Sequence, residues 1–155
     1  MNLIKLKLFF LCIIFANTMP VFPAEKSTTK DIVKYLNENG YECNSDPAGI
    51  NARTKRPVLN IHIKFLNDGI LFTSVLNIKD NQKSKTEEIY SLVNDFNLDA
   101  VAIRYYVDRD LDVLVEAFFP GQFDKFRFST FVTKWETEFI SLVGEKRELI
   151  QKYIK

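Results

Sequence analysis

The clearest hydrophobic pattern lies between Val58 and Lys79. Leu59, Ile61, Ile63 and Phe65 alternate with Asn60, His62 and Lys64, the period of a strand with one buried face. Asp68-Gly69 follows as a two-residue turn signal, because both residue types tolerate positive φ. A turn there pairs Phe65 with Phe72, Ile63 with Ser74, Ile61 with Leu76 and Leu59 with Ile78. Such a register gives the hairpin an almost wholly apolar inner face. The stretch Ala100–Phe119 predicts a second hairpin, with a three-residue loop at Arg109–Leu111. Val107 then opposes Val113, Tyr105 opposes Val115, Ile103 opposes Ala117 and Val101 opposes Phe119. The same register sets Arg104 against Glu116, a favourable cross-strand charge pair.

Helical spacing frames these hairpins. Ile32, Tyr35 and Leu36 share a face over Asp31–Asn39, and Gly40 supplies a stop. Ser84 and Glu87 have capping-box spacing, followed by Ile89, Leu92, Val93 and Phe96 on one helical stripe. A last stripe of Phe128, Val132, Trp135, Phe139, Leu142, Leu149 and Tyr153 predicts one long helix from about Asp124 to Ile154. Gly144 weakens its middle by roughly 1 kcal/mol relative to alanine. Tyr41–Asp46 reads as a short strand. Pro47–Pro57 is rich in turn residues and reads as a loop, with Arg53, Lys55 and Arg56 as solvated charge. The order is α-β-β-β-α-β-β-α. It predicts an α+β fold, an antiparallel five-stranded sheet with helices packed on one side.

The first 24 residues have a different pattern. Lys5 and Lys7 precede the unbroken apolar run Leu8–Ala16, and Asn17–Ala24 holds two prolines and ends in alanine. These are the three regions of a secretory signal peptide in order. The run falls well short of the roughly 20 residues that span a bilayer. The expectation is a signal peptide at 1–24, cleavage after Ala24, and one exported domain at 25–155, periplasmic or secreted. Phe22 is bulkier than the small residue that cleavage prefers, so an uncleaved anchor is the other outcome.

Removing that segment changes the charge and cysteine count. Its two lysines leave 19 of the 21 basic residues against 20 acidic ones. A near-neutral domain offers no electrostatic footprint for nucleic acid or an anionic membrane. Cys43 is the one cysteine left, so no intrachain disulfide forms. Its thiol is then either buried or open to an intermolecular bond.

Candidate chemistry is sparse. His62 is the single histidine and sits at a polar strand position, which reads as surface. One histidine and one cysteine are too few for a zinc site, and no phosphate-cradling glycine loop is present. Asp108, Asp110 and Asp112 resemble a calcium loop, but Val113 and Phe119 stand where such a loop needs glycine and glutamate. No catalytic residue, cofactor or metal is expected. One feature stands out on the second face of the sheet: Leu66, Leu71 and Val75 from the first hairpin, and Tyr106, Leu114 and Phe118 from the second. Six such residues form either a partner or dimer surface or a patch covered by the last helix or the Pro47–Pro57 loop.

The stretches Val93-Asn-Asp-Phe-Asn97, Arg104-Tyr-Tyr-Val-Asp108 and Asp112-Val-Leu-Val-Glu116 resemble the central motif of the YbjN-like bacterial proteins. Those are often labelled regulators of sensory transduction. Phe128, Trp135 and Phe139 resemble that family's final helix. The likeness covers Ser84–Phe139 well and the N-terminal half only in element order. It implies a fold like that of type III secretion chaperones and a non-enzymatic role. It also implies Arg104 and Glu116 as the strand pair, with Asn94 and Asn97 as helix-end polar residues. Leu111 replaces the usual glycine of the second turn, and many members lack a signal sequence. Together these readings give an exported, non-catalytic protein-binding or regulatory module, chaperone-like, with a protein partner or a second copy on the sheet. The alternative is an exported small-molecule binder or hydrolase using Asp108, Asp110, Asp112 and Glu116.

Export is checked by intact-mass measurement of the chain recovered from a bacterial envelope fraction. The expected N-terminus is Glu25, and a full-length chain held in the cytosol would contradict the reading.

Overall fold

The computed structural model describes residues 29–56 and 58–155. The predicted signal peptide lies outside them. The elements in chain order are α1 (Thr29–Glu38), β1 (Glu42–Asp46), β2 (Gly49–Arg53), β3 (Ile61–Leu66) and β4 (Gly69–Leu76). After a short 3-10 turn at Asp80–Gln82 come α2 (Thr86–Asp99), β5 (Arg104–Val107), β6 (Val113–Pro120), α3 (Lys125–Glu145) and α4 (Arg147–Tyr153). The strands form one antiparallel sheet in the order β1-β2-β3-β4-β6-β5. The α+β class and the one-sided helices are as expected, but the sheet has six strands rather than five.

The extra strand is β2, inside the stretch read as the Pro47–Pro57 loop. Ile50 and Ala52 are buried on one face while Asn51 and Arg53 point the other way. Two features explain the misreading: the alternation lasts five residues, and it is built partly from Gly and Ala. The turn before it was nonetheless legible. Asp46-Pro47-Ala48-Gly49 carries the residues a type I turn favours at its first, second and fourth positions. Asp46 Oδ1 accepts from Ala48 N at 2.7 Å and Gly49 N at 3.2 Å. Gly49 has φ 149°, and a Cβ there would lie 2.1 Å from the Ile63 carbonyl oxygen. Only glycine lets β2 approach β3 so closely.

The first predicted hairpin keeps its faces but not its register. Leu66 pairs with Gly69 and Ile63 with Phe72, two residues away from the expected pairing. Because side chains alternate with period two, a shift of two leaves the same residues facing inward. Gly69 is a strand residue here and not a turn residue. A Cβ on it would lie 2.4 Å from Phe118 Cζ, so its role is to admit that ring. The second hairpin has the predicted register, with Arg104 opposite Glu116 and Val107 opposite Val113. Its first strand is shorter than expected, because Glu138 of α3 takes the Val101, Ala102 and Ile103 N–H groups. Leu111, in the turn, has φ 61°. The backbone there adopts the left-handed shape for which glycine is the usual residue.

Every helix among the described residues covers the same face. Phe72 on β4 meets Phe128, Phe131 and Trp135 of α3 at ring-centroid distances of 5.5, 4.9 and 5.8 Å. Phe119 on β6 meets Phe128 and Phe131, Tyr35 of α1 meets Phe128, and Phe96 of α2 meets Tyr105 of β5. The predicted last helix is interrupted at Lys146, two residues after Gly144, where φ −108° and ψ 25° leave the helical region. The interruption lets α4 return to the sheet, so that Ile154 bridges Ile78 and Lys79 N donates to Tyr153 O at 2.8 Å. At the start of α2, Lys85 is the cap residue and the predicted Ser84–Glu87 capping box does not form. Arg56, read as solvated, is instead bonded to Glu136 of α3 at 2.6 and 3.1 Å. Tyr41 also donates to that carboxylate. Burial, reinforced by that hydrogen bond, pushes the Tyr41 hydroxyl well above its ordinary value.

Removing the central ring tests this account of the core. Phe72→Ala should lower unfolding stability by about 3–5 kcal/mol, read as a fall in the urea midpoint. A loss below about 1 kcal/mol would show that the sheet does not depend on that contact.

Candidate functional site

The face opposite the helices has a regular pattern fixed by the strand registers. One row of side chains crosses all six strands: Asn44, Asn51, His62, Thr73, Glu116 and Arg104. It is polar throughout. His62 Nδ1 lies 2.9 Å from Asn51 Oδ1. Arg104 is bonded to Glu116 Oε1, and Tyr106 donates to Glu116 Oε2 at 3.0 Å. Burial and then this hydrogen bond raise the Tyr106 hydroxyl above its usual range, which keeps it a donor.

Apolar residues flank this row on the β4–β6–β5 half of the sheet. Leu71 pairs with Phe118 on one side of it, beside Leu66 at the strand end. Val75, Leu114 and Tyr106 form the other side, linked through their pairings on adjacent strands. Four of the six predicted surface residues are exposed: Leu66 at 41%, Val75 at 46%, Tyr106 at 37% and Phe118 at 41%. Leu71 and Leu114 are half-buried by their neighbours. Of the two outcomes left open by the sequence, cover by the last helix is ruled out, because α3 and α4 lie on the other face. Pro47–Arg56 does not provide cover either, since Gly49–Arg53 is the β2 strand and Arg56 is bonded to Glu136 of α3 on the helix side. Leu66, Leu71 and Phe118 border an open groove of about 640 Å³ that continues to Arg104, Glu116 and the Val101–Ile103 segment.

The edges of the sheet are closed by side chains. Asn97 of α2 donates from Nδ2 to Tyr105 O at 2.8 Å and accepts from Tyr105 N at 2.9 Å. It thereby satisfies both outward backbone groups of the β5 residue, as a neighbouring strand would. On the far edge, Asn37 of α1 accepts from Cys43 N at 3.3 Å. Cys43 is half-buried against the core, and burial pushes its thiol up. Asn97 was among the residues singled out by resemblance. Asn94 is exposed on α2, and no contact marks it.

The acidic candidates do not converge. Asp108 Oδ1 accepts from Asp110 N at 2.8 Å and Asp112 N at 3.0 Å, closing the β5–β6 turn. Asp112 takes Lys83 at 2.9 Å and the Ile78 N–H at 2.8 Å. Glu116 lies four residues further along the strand, about 13 Å at strand rise. Among the described residues no group of three His, Cys, Asp or Glu side chains is placed to hold a metal. Sequence reasoning also missed one thing. His62 was read as plain surface, yet it is half-buried in the wall of a cleft between β3 and β4. Its polar alternation carried no signal of that, because the cleft arises where two strands part.

Comparison with known proteins places the fold. No family model matches the chain, and no curated protein matches its sequence. Among solved structures it is similar to YbjN from E. coli, a candidate transcription regulator. The TM-score is 0.64 and the identity 12%, covering 83% of this chain and 96% of that one. It is also similar to an uncharacterized protein from Methanothermobacter thermautotrophicus, with TM-score 0.52 and 15% identity, covering 78% and 98%. The fold is therefore YbjN-like, as the motifs implied.

The edge closure can be tested directly. Asn97→Ala leaves both Tyr105 backbone groups without partners and should cost about 1–3 kcal/mol. Amide exchange at Tyr105 should rise while that of β3 changes little, and equal exchange across the sheet would contradict the role given to Asn97.

Proposed function

We propose that this chain is an exported, non-catalytic regulatory or protein-binding module that uses the open β4–β6–β5 face to hold a protein partner or a second copy of itself. One observation carries the reading. Leu71 with Phe118, and Val75 with Leu114 and Tyr106, lie uncovered on either side of a polar row. Contiguous apolar surface on a soluble domain marks an interaction site more often than it stays bare. The near-neutral charge favours a protein over nucleic acid as that partner.

The structural neighbour described as a candidate transcription regulator is in keeping with a regulatory role. Chaperone-like action would follow from the likeness to type III secretion chaperones. The hydrolase alternative has less support. Asp108 and Asp112 are engaged in the turn, and Glu116 is engaged by Arg104 and Tyr106. Acid–base work needs a carboxylate free to exchange a proton with substrate.

A photo-crosslinker at Leu71 in the mature domain, incubated with envelope extract, should yield one discrete adduct. Mass spectrometry identifies it as a partner protein or a second copy. Phe118→Glu should abolish the adduct while unfolding stability stays within about 1 kcal/mol, because the residue is exposed. An adduct that persists in Phe118→Glu, or the absence of any adduct, would remove the open face as the binding surface.

A further inference from the structure

Glu138 leaves the second hairpin half closed. β5 pairs with β6 only from Arg104 onward, although the register continues to Ala102 opposite Phe118 and Val101 opposite Phe119. Successive residues of an antiparallel strand turn their backbone groups to opposite edges. Two observations fix the edge that each β6 residue faces. Asn97 takes both backbone groups of Tyr105, so Arg104 and Tyr106 face β6, and Glu116 faces β5. Phe118 faces the same way. The tight β3–β4 turn gives the same answer, because Leu66 and Gly69 close a two-residue loop as a bonded pair. That sets Phe72 and Ala117 toward each other and Phe118 away from β4. The Phe118 N–H and C=O thus lie on the β5 side, where they have no hydrogen-bond partner among the described residues.

The residues that would complete the ladder are adjacent but diverted. The Ala102 N–H donates to both Glu138 oxygens, at 3.0 and 3.1 Å, with the Val101 and Ile103 N–H groups beside it. A hydrogen bond to a carboxylate is stronger than one to a carbonyl, which is why α3 holds the segment. In other respects the segment is ready to be a strand. Ala100 is already extended, with φ −74° and ψ 136°. Val101 is an apolar side chain left 87% exposed, and opposite Phe119 it would turn to the helix-covered face. Space adjoins the segment on both sides. The open groove of about 640 Å³ lies on one, and a cavity of about 190 Å³ among Ala100, Tyr105, Glu138 and Leu142 lies on the other.

We propose that Val101–Ile103 is a strap that closes onto β6 when Glu138 releases it. The Ala102 N–H moves from Glu138 to the Phe118 C=O, and the Phe118 N–H donates to the Ala102 C=O. Pro120 has no N–H, so the added ladder ends with that pair. In this register the Val101 and Ile103 N–H groups still face outward. The exchange therefore costs Glu138 one donor of its three. Closure fills the end of the groove beside Phe118 and Arg104. The strap and a partner on the open face then exclude each other there. That consequence rests on the binding surface proposed above, whereas the strap itself does not.

Amide hydrogen exchange and nuclear Overhauser contacts in the isolated protein test the strap. In the wild type, Phe118 should exchange at least about tenfold faster than Ala117 and Phe119, which bond to β4. Glu138→Ala should slow Phe118 exchange by about tenfold and keep Ala102 protected. It should also bring the Val101 and Phe119 Hα protons into contact, as in any non-hydrogen-bonded antiparallel pair. Glu138→Gln, which keeps the shape and one acceptor without the charge, should fall between the two. The Leu71 adduct with a partner should weaken in Glu138→Ala. Phe118 protected like its neighbours in the wild type would overturn the strap. So would Ala102 losing protection in Glu138→Ala while Phe118 is unchanged, since the segment then frays instead of closing. A closed strap with an undiminished adduct would overturn the competition alone, and no adduct in either protein would remove the binding surface and leave the strap.

Discussion

The structure depends on one aromatic seam. Phe72 sits on the central strand β4 and meets three rings of α3, while Phe119 on the neighbouring β6 shares two of them. Ring pairs of this kind add roughly 0.5–1.5 kcal/mol each beyond the area they bury. α1 and α2 join through Tyr35 and Phe96, on the same side of the sheet. Because all this apolar mass lies on one face, no helix among the described residues covers the other.

That asymmetry explains why the sheet's edges need separate treatment. An open sheet presents unpaired backbone groups at both ends and invites further strands. Here the helix preceding each edge strand supplies an asparagine, Asn37 for β1 and Asn97 for β5, and Glu138 takes three more N–H groups beside β5. The edge at β5 is blocked to strand addition. On the open face Arg104, Glu116 and Tyr106 form a polar centre between two apolar clusters.

The face and the cleft share Val75, which lines the β3–β4 gap and belongs to one of the apolar clusters. The gap exists because β3 ends its pairing with β4 at His62, where the chain enters from the Asn60 side. Asn60 itself is turned to an earlier segment, accepting from Thr54 N at 3.0 Å. In the same segment between β2 and β3, Arg56 is pinned to Glu136 of α3.

Residue pattern alone determined a good deal. The inward faces of both hairpins, the register of the second, the buried stripes of α1, α2 and α3 and the six residues of the open face all follow from periodicity, which local geometry imposes on any strand or helix. The Arg104–Glu116 pair was legible for the same reason. Only the tertiary structure decided whether those six residues would be covered, since that depends on the side to which distant helices pack. It also decided the role of Gly69, whose missing Cβ admits the Phe118 ring from a strand some fifty residues away in sequence. The β2 strand, the capture of Arg56 by Glu136 and the parting of β3 from β4 belong to the same class. Each is set by a contact between segments far apart in the chain, and sequence periodicity reports only on neighbours.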